Sequence, residues 1–137
     1  MTAKEFLMKL PKMNNDINQK QTRLSTLRSV AYNTSPNLSA DVVQRTRDKS
    51  PLESIMVKIV DLDREINKCV DAFVDYKAVV WEQLDKLTDE REKQILWLRY
   101  AEEKTWNNIS KILYLTPRHI MRIHKSALNN LEKILNF

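Results

Sequence analysis

The sequence predicts an all-α protein in which an N-terminal antiparallel hairpin of two long, coiled-coil helices precedes a C-terminal domain of three shorter helices. Three observations support this fold class. The 137 residues contain no glycine, a residue that the tight turns of β-hairpins strongly favour. Apolar residues recur every three or four positions along two long segments, which indicates helices packed along a seam. From Thr88 onward the apolar segments are shorter, and each follows a helix start signal.

The first long helix is predicted from a seam of eight positions, of which seven are apolar. The seam consists of Phe6, Leu10, Met13, Ile17, Lys20, Leu24, Leu27 and Ala31. Thr2 and Glu5 have the spacing of a capping box, which marks the start of a helix. Pro11 lies within the pattern and lacks the N–H that a helix interior requires, so we expect a kink or a new helix start there.

A second long helix is predicted to begin at Ser50-Pro51, because serine caps helices and proline suits the first helical position. Its seam consists of Leu52, Ile55, Ile59, Leu62, Ile66, Cys69, Phe73, Tyr76, Val80, Gln83 and Leu87. Two such seams connected by a loop are expected to pack as an antiparallel hairpin. Pairing between copies of the chain is a second way to bury them, so a homo-oligomer through the N-terminal helices is a further expectation.

Residues 33–49 separate the two long helices and contain mainly polar residues and a proline, without a sustained helical or strand period. A connection of this length is uncommon in a compact domain. We therefore expect it to be either mobile or a contact segment. The expected domains are residues 1–87, which form the hairpin with its loop, and residues 88–137.

The C-terminal domain is predicted from three consecutive helix start signals. Asp89 and Glu92 have capping-box spacing before the first helix. Thr105 precedes the second helix, and Thr116-Pro117 precedes the third, with proline at its first position. These signals divide the segment into three helices.

The last two helices have the spacing of a helix-turn-helix. Only Tyr114-Leu115 separates them, and the second of the two is longer and basic. Glycine is common in such turns, so Tyr114 is expected to adopt a left-handed or otherwise strained conformation. The residues expected on the inner side of the shorter helix are Trp106, Ile109, Ile112 and Leu113.

Charge is distributed unevenly along the chain, although the formal net charge is only +5. Residues 51–103 carry 13 acidic and 8 basic side chains, whereas residues 104–137 carry 6 basic and 1 acidic. A basic segment of this kind suggests an anionic partner, with double-stranded DNA as the first candidate. The acidic residues of 61–103 fall at expected solvent-facing positions, and we interpret them as solvation.

The third short helix carries the candidate DNA-reading face. Its apolar residues form one stripe, which leaves the polar residues near its N-terminus facing outward. Arg118 and Arg122 are four residues apart and can pair with guanine, and Met121 can contact a thymine methyl. Both His119 and His124 are expected at the surface or on phosphate. The full candidate DNA-binding set is Thr105, Lys111, Thr116, Pro117, Arg118, His119, Met121, Arg122 and Lys125.

The composition excludes several classes of protein. Phosphate-binding loops, hydrolase nucleophile elbows and EF-hand loops all need glycine. Cys69 is the single cysteine, and with only two histidines it cannot form an internal disulfide or a multi-cysteine zinc site. No apolar run is long enough for a membrane span, and no signal peptide is recognisable. We therefore expect a reduced, cytoplasmic protein that is not an enzyme and has no metal, cofactor or membrane partner.

Several short elements of residues 95–135 carry a family resemblance. They are Leu98-Arg99-Tyr100, Thr105 with Ile109-Ser110, Leu113 with Leu115-Thr116, and Ala127-Leu128 with Leu131. In these elements the segment resembles region 4 of bacterial sigma factors, which binds the promoter −35 element. The whole chain is similar in length and layout to small phage regulators of the ArpU and RinA type, in which a helical N-terminal half precedes a sigma-region-4-like end.

The resemblance implies that Arg118 and Arg122 occupy base-contacting positions of a recognition helix. It also implies a location in a bacterial host cell, associated with the nucleoid. At Pro117 the chain departs from primary sigma factors, which often have a basic residue there, so the promoter consensus of the host polymerase is not implied as the target.

Three functional hypotheses follow. The first is a sequence-specific DNA-binding transcriptional regulator, for which the resemblance implies phage or prophage origin, activation of a late operon and contact with host RNA polymerase. The second is a sigma mimic that binds RNA polymerase or another protein without touching DNA. The third is a DNA-packaging component, because small terminase subunits also join a helix-turn-helix to helical oligomerisation segments.

Overall fold

The computed structural model describes residues 2–34 and 51–136, and all regular secondary structure in these ranges is helical. The helices are α1 (Ala3–Thr34), α2 (Pro51–Leu84), α3 (Glu90–Leu96), α4 (Trp106–Leu113) and α5 (Pro117–Leu135). A π-helical segment, Trp97–Ala101, follows α3 directly. The predicted all-α class, with an N-terminal helical hairpin and a C-terminal helical domain, is confirmed. Ser50 and most of the predicted 33–49 loop lie outside the described residues, whereas residues 33 and 34 belong to α1.

The chain forms two compact units, which the long helices α1 and α2 both enter. The first unit comprises Met1–Asn14 and Ala72–Phe137, and the second comprises Asn15–Asp71. The division into domains at residue 88 stays a prediction.

In the second unit, α1 and α2 pack along their predicted seams. Leu24 and Ala31 of α1 form one buried cluster with Ile59, Leu62 and Ile66 of α2. Burial of these side chains from both helices stabilises the pair, because apolar surface is removed from water. The two helices run antiparallel to each other, as the sequence predicted.

Lys20 is the polar position of the α1 seam, and its ammonium group is surrounded by three acceptors. Its Nζ lies 3.1 Å from Asp16 Oδ2, 3.2 Å from Glu65 Oε1 and 3.3 Å from Cys69 Sγ. Hydrogen bonds to Asp16, Cys69 and Glu65 raise the pKa of Lys20, because each favours the charged form. The break in the apolar seam is therefore a polar link between α1 and α2.

In the first unit, the start of α1 packs against the end of α2. The Thr2 hydroxyl accepts a hydrogen bond from the Glu5 backbone N–H at 3.1 Å, as the predicted capping box requires. The Tyr76 hydroxyl donates a hydrogen bond to the Phe6 carbonyl at 2.6 Å, and the two rings lie 5.7 Å apart. Burial raises the pKa of Tyr76. Phe6 belongs to a buried cluster that includes Leu84 of α2.

Helix α1 runs without interruption through Pro11, so the expected new helix start at this residue is wrong. Proline removes one backbone hydrogen bond from a helix interior. Leu7 and Leu10, in the turn before it, are almost fully buried in the core of the first unit. Their packing holds the helix in place where the hydrogen bond is missing.

Tyr114 ends α4 in the left-handed conformation, with φ 56° and ψ 39°. This confirms the expectation from the missing glycine. Its side chain is 93% exposed, so packing does not compensate for the backbone strain. A second residue, Glu103, has a positive φ of 54° in the connection before α4. The sequence did not indicate that second strained position.

Replacing Tyr114 by glycine is expected to stabilise the first unit. Relief of left-handed strain favours the variant by about 1–2 kcal/mol, and the greater entropy of glycine in the unfolded chain offsets about 0.4–1 kcal/mol of it. The expected net gain is about 0.5–1 kcal/mol in urea unfolding. Tyr114→Ala is the matched control, since alanine keeps the Cβ atom and gains nothing. A loss of stability in the glycine variant would show that the tyrosine ring contributes packing.

Candidate nucleic-acid interface

A small buried core holds the three C-terminal helices together. Ile95 of α3, Ile109 of α4 and Ile120 of α5 are each fully buried and form one cluster. The partly buried residues packed on it are Leu98, Trp106, Leu113, Leu115 and Ile123. This core fixes the position of α5 relative to α4, and with it the direction in which the outer face of α5 points.

Ile112 is 49% exposed, although the sequence pattern placed it on the inner side of α4. Trp106 and Leu113 lie three residues before and four residues after Ile109, so both fall on the same side of it around the helix. Ile112 falls on the opposite side and reaches solvent. The prediction that Ile112 is an inner residue was therefore wrong.

Helix α3 begins at its predicted cap, but one of the two capping residues has another role. The Asp89 carboxylate accepts a hydrogen bond from the Arg91 backbone N–H at 2.9 Å. Glu92 is only 5% exposed, and its carboxylate instead accepts hydrogen bonds from Ser126 Oγ at 2.9 Å and Asn130 Nδ2 at 3.0 Å. Glu92 therefore joins α3 to α5, which corrects its interpretation as a solvating residue.

Two threonines of the candidate set fix the starts of α4 and α5. Thr105 Oγ1 accepts a hydrogen bond from the Asn108 backbone N–H at 3.2 Å, and Thr116 Oγ1 accepts one from the His119 backbone N–H at 3.2 Å. Pro117 occupies the first turn of α5, where its missing N–H removes no helical hydrogen bond. All three side chains are exposed, so the two helix starts are accessible from solvent.

The other candidate residues of α5 lie on its exposed face, opposite the buried Ile120, Ala127 and Leu131. These exposed residues are Arg118, His119, Met121, Arg122 and Lys125. Lys111 is also exposed, on α4. Within residues 2–34 and 51–136, neither arginine of this face forms a salt bridge with a carboxylate. The structure thus brings Arg118 and Arg122 together on one uncompensated basic surface.

His124 does not belong to that surface, contrary to the expectation of surface exposure or phosphate contact. It is half-buried, and the Tyr100 hydroxyl is hydrogen-bonded to its Nε2 at 2.8 Å. Its ring lies 4.7 Å from the ring of Trp106, edge to face. The Arg99 guanidinium covers the Trp106 ring at 4.4 Å and donates a hydrogen bond to the Lys104 carbonyl at 3.1 Å.

This group of four side chains, Arg99, Tyr100, Trp106 and His124, connects the π-helical segment to α4 and α5. The π turn is closed by a hydrogen bond from the Glu102 N–H to the Trp97 carbonyl at 3.1 Å. Burial lowers the pKa of His124, and the positive charges of Arg99 and Lys4 lower it further. The neutral imidazole is therefore the form that the fold accommodates.

Stability is expected to fall as the pH drops below the ordinary histidine value of 6.5, because the unfolded chain then takes up a proton that folded His124 resists. The contribution of neutral His124 to the free energy of unfolding is fully present above pH 6.5. It declines as the pH falls from there through the lowered pKa of His124 in the folded protein. The free energy of unfolding is measured with urea at pH 5 and at pH 7.5. The difference between the two values should be smaller for His124→Gln than for wild type. His119→Gln, on the exposed face of the same helix, is the control. An equal reduction in both variants would contradict this assignment.

No cluster of three potential metal ligands from histidine, cysteine, aspartate and glutamate occurs among the residues that the structure describes. In the same ranges, no helix has the length and apolar character that crossing a membrane requires.

The C-terminal segment is similar to a known protein family. Residues 84–133 match the family model for Sigma-70, region 4. Over 142 aligned positions the chain is 24% identical to the RNA polymerase sigma-F factor of Priestia megaterium, with 98% of this chain and 55% of that protein covered. The chain thus spans about half the length of this relative. No solved structure matches the chain.

The matched segment begins at the last residue of α2, contains all of α3 and α4, and reaches to within two residues of the end of α5. It therefore includes the buried isoleucine core, the left-handed turn at Tyr114 and the exposed basic face of α5. The similarity to ArpU and RinA regulators and the phage origin stay predictions. Residues 84–133 form a sigma-region-4-like helix-turn-helix.

Proposed function

We propose that this protein is a sequence-specific DNA-binding transcriptional regulator, which inserts the first turns of α5 into the major groove. The observation that carries the proposal is the exposed basic face of α5, whose two arginines form no salt bridge within the described residues, in a sigma-region-4-like helix-turn-helix. A helix with a buried apolar face and an exposed arginine-bearing face has the form that major-groove reading requires.

The candidate residues divide into groups by their proposed roles. Arg118 and Arg122 would read guanine, and Met121 would touch a thymine methyl. His119 and Lys125 would contact phosphate, as would Lys111 on α4. The exposed helix starts at Thr105 and Thr116-Pro117 would lie close to the DNA backbone. In this arrangement the phosphate contacts set the position of the helix and the arginines provide sequence preference.

The finer proposals concern partners and biological context. Because the chain is similar to an RNA polymerase sigma factor, we include RNA polymerase as a proposed partner. Exposed apolar residues on the helices of the hairpin, such as Val60 and Val70, are compatible with self-association. Phage or prophage origin and activation of a late operon rest on the resemblance to ArpU and RinA regulators. The proposed cytoplasmic location rests on the composition of the chain, and association with the nucleoid rests on the resemblance.

Salt dependence of binding tests the proposal. A duplex is first selected from random DNA with the full chain, and its affinity is then measured between 0.1 and 0.5 M salt. Each phosphate contact should give a slope of about −0.9 in log affinity against log salt. The expected result is a slope that corresponds to several phosphate contacts. The protein should also bind the selected duplex more tightly than random sequence.

Two other outcomes would replace this function by an alternative. Failure to bind DNA, with weakly salt-dependent binding to RNA polymerase, would favour the sigma mimic. DNA binding by a ring of many copies, measured by light scattering, would favour a packaging component. Either result would contradict the proposed regulator.

A further inference from the structure

Glu92 of α3 holds α5 through three hydrogen bonds to one buried carboxylate. Its Oε1 accepts hydrogen bonds from Ser126 Oγ at 2.9 Å and from Asn130 Nδ2 at 3.0 Å. Its Oε2 accepts a further bond from the same Asn130 nitrogen at 3.1 Å. Among the residues that the structure describes, Glu92 is also the one buried charged side chain. Hydrogen bonds to a carboxylate are stronger than those between neutral groups, so this is a firm polar link to α5.

The other buried residues of α3 pack on α5 through apolar side chains. Ile95 lies in one buried cluster with Ile120 of α5. Leu96 lies in another with Ala127 and Leu131 of the same helix. Apolar burial depends on the area removed from water and is not directional, whereas a hydrogen bond requires alignment of donor and acceptor. Glu92 therefore supplies the directional part of the contact between α3 and α5.

The residues that Glu92 binds stand on the same ridge of α5 as the two candidate reading arginines. Side chains spaced by four residues form one ridge along a helix, and this ridge consists of Arg118, Arg122, Ser126 and Asn130. Both arginines are exposed, whereas the C-terminal half of the ridge meets Glu92. Any rotation of α5 about its axis at Glu92 therefore moves both arginines.

We propose that Glu92 is a positioning residue for DNA reading, which sets the rotation of α5 at which Arg118 and Arg122 meet the bases. This inference rests on the proposed function. Binding groups must be held within about 0.5 Å and about 10–20° of their productive geometry. An arginine–guanine contact needs two aligned hydrogen bonds at once, so a small rotation weakens it more than it weakens a phosphate contact. Loss of the Glu92 link should therefore reduce sequence preference.

The first test compares Glu92→Met with Glu92→Gln in the full chain. Methionine is unbranched and apolar, so it fills the site without a strong acceptor. Glutamine keeps an acceptor for Ser126, and its amide can pair with the amide of Asn130 once that group turns over. The ratio of affinities for selected and random duplexes should fall at least about fivefold in Glu92→Met, which is the discrimination of one arginine–guanine contact. Glu92→Gln should keep a ratio close to that of wild type.

The neighbouring asparagines of α5 provide a second, milder comparison. Asn130 is half-buried and donates two of the three hydrogen bonds, whereas the Asn129 side chain is exposed and forms no hydrogen bond within the described residues. The affinity ratio should fall in Asn130→Ala and stay at the wild-type value in Asn129→Ala. Circular dichroism melting verifies that each variant is folded at the temperature of the binding assay.

The possible outcomes separate this inference from the function on which it rests. If wild type prefers the selected duplex and the folded Glu92→Met and Asn130→Ala variants keep that ratio, the positioning role is wrong while the proposed function stands. An equal loss of affinity for both duplexes, or a fall as large in Glu92→Gln as in Glu92→Met, would also overturn it. If Glu92→Met does not fold, the asparagine pair decides by the same criterion. Absence of DNA binding by wild type would overturn both proposals.

Discussion

Simultaneous replacement of Arg118 and Arg122 by alanine is expected to abolish the preference for a selected DNA duplex. Each two-hydrogen-bond arginine–guanine contact contributes about 1–3 kcal/mol to discrimination, so the double variant should lose up to about 6 kcal/mol of specific binding. Both side chains are exposed and lie on one face of α5, so their removal leaves the buried core unchanged. Mobility shift or fluorescence anisotropy titrations with selected and random duplexes measure the effect.

The matched control for the double variant is Arg64→Ala. Arg64 is an exposed arginine of α2 and lies outside the segment that matches Sigma-70, region 4. The Arg64→Ala variant should bind the selected and the random duplex as tightly as wild type does. Retention of the sequence preference by the double variant would show that another surface of the protein reads DNA.

Among the substitutions discussed, replacement of Ile120 by alanine is expected to lower the free energy of unfolding most. Ile120 is fully buried between Ile95 and Ile109, where three helices meet, and truncation would leave a cavity. Core isoleucine-to-alanine changes cost about 2–5 kcal/mol. Urea unfolding followed by tryptophan fluorescence measures this, because Trp106 packs on the same cluster.

Ile112→Ala is the natural control for the Ile120 variant. The two residues have the same side chain, but Ile112 is 49% exposed. Its truncation should cost less than about 1 kcal/mol, since little surface is removed from a packed environment. Equal losses in the two variants would contradict the placement of Ile112 outside the core.

The elements that depend on neighbouring residues could be predicted from the sequence. The seams of α1 and α2 follow from helical periodicity, and the caps at Asp89, Thr105 and Thr116 form hydrogen bonds within three residues of themselves. The strain at Tyr114 was predictable because a turn that usually carries glycine had none. Local geometry determines all of these features.

Features that depend on distant partners could not be predicted. Glu92 has the position of a capping residue, yet its carboxylate meets Ser126 and Asn130, which are 34 and 38 residues away. His124 lies beside exposed residues in sequence, but Tyr100 and Trp106 cover it in the fold. Pattern alone does not show which side of a helix another element will cover.

Lys20 illustrates the same limit within the hairpin. Lys20 interrupts an otherwise apolar seam. Asp16, four residues earlier, is the one of its three partners that lies close to it in sequence. Glu65 and Cys69 of α2 complete the arrangement in the folded protein. The sequence showed only that Lys20 interrupts the apolar seam, and the link that it forms between the two helices was visible only in the structure.

Major-groove reading by α5 is tested most directly by methylation interference at guanine N7, an atom that lies in the major groove. A selected duplex is partially methylated, and the bound and free fractions are compared for wild type and for the Arg118→Ala/Arg122→Ala variant. Methylation of specific guanines should block wild-type binding, and this pattern should vanish in the variant. Wild-type binding that is unaffected by guanine N7 methylation, or an interference pattern that persists in the variant, would contradict insertion of α5 into the major groove.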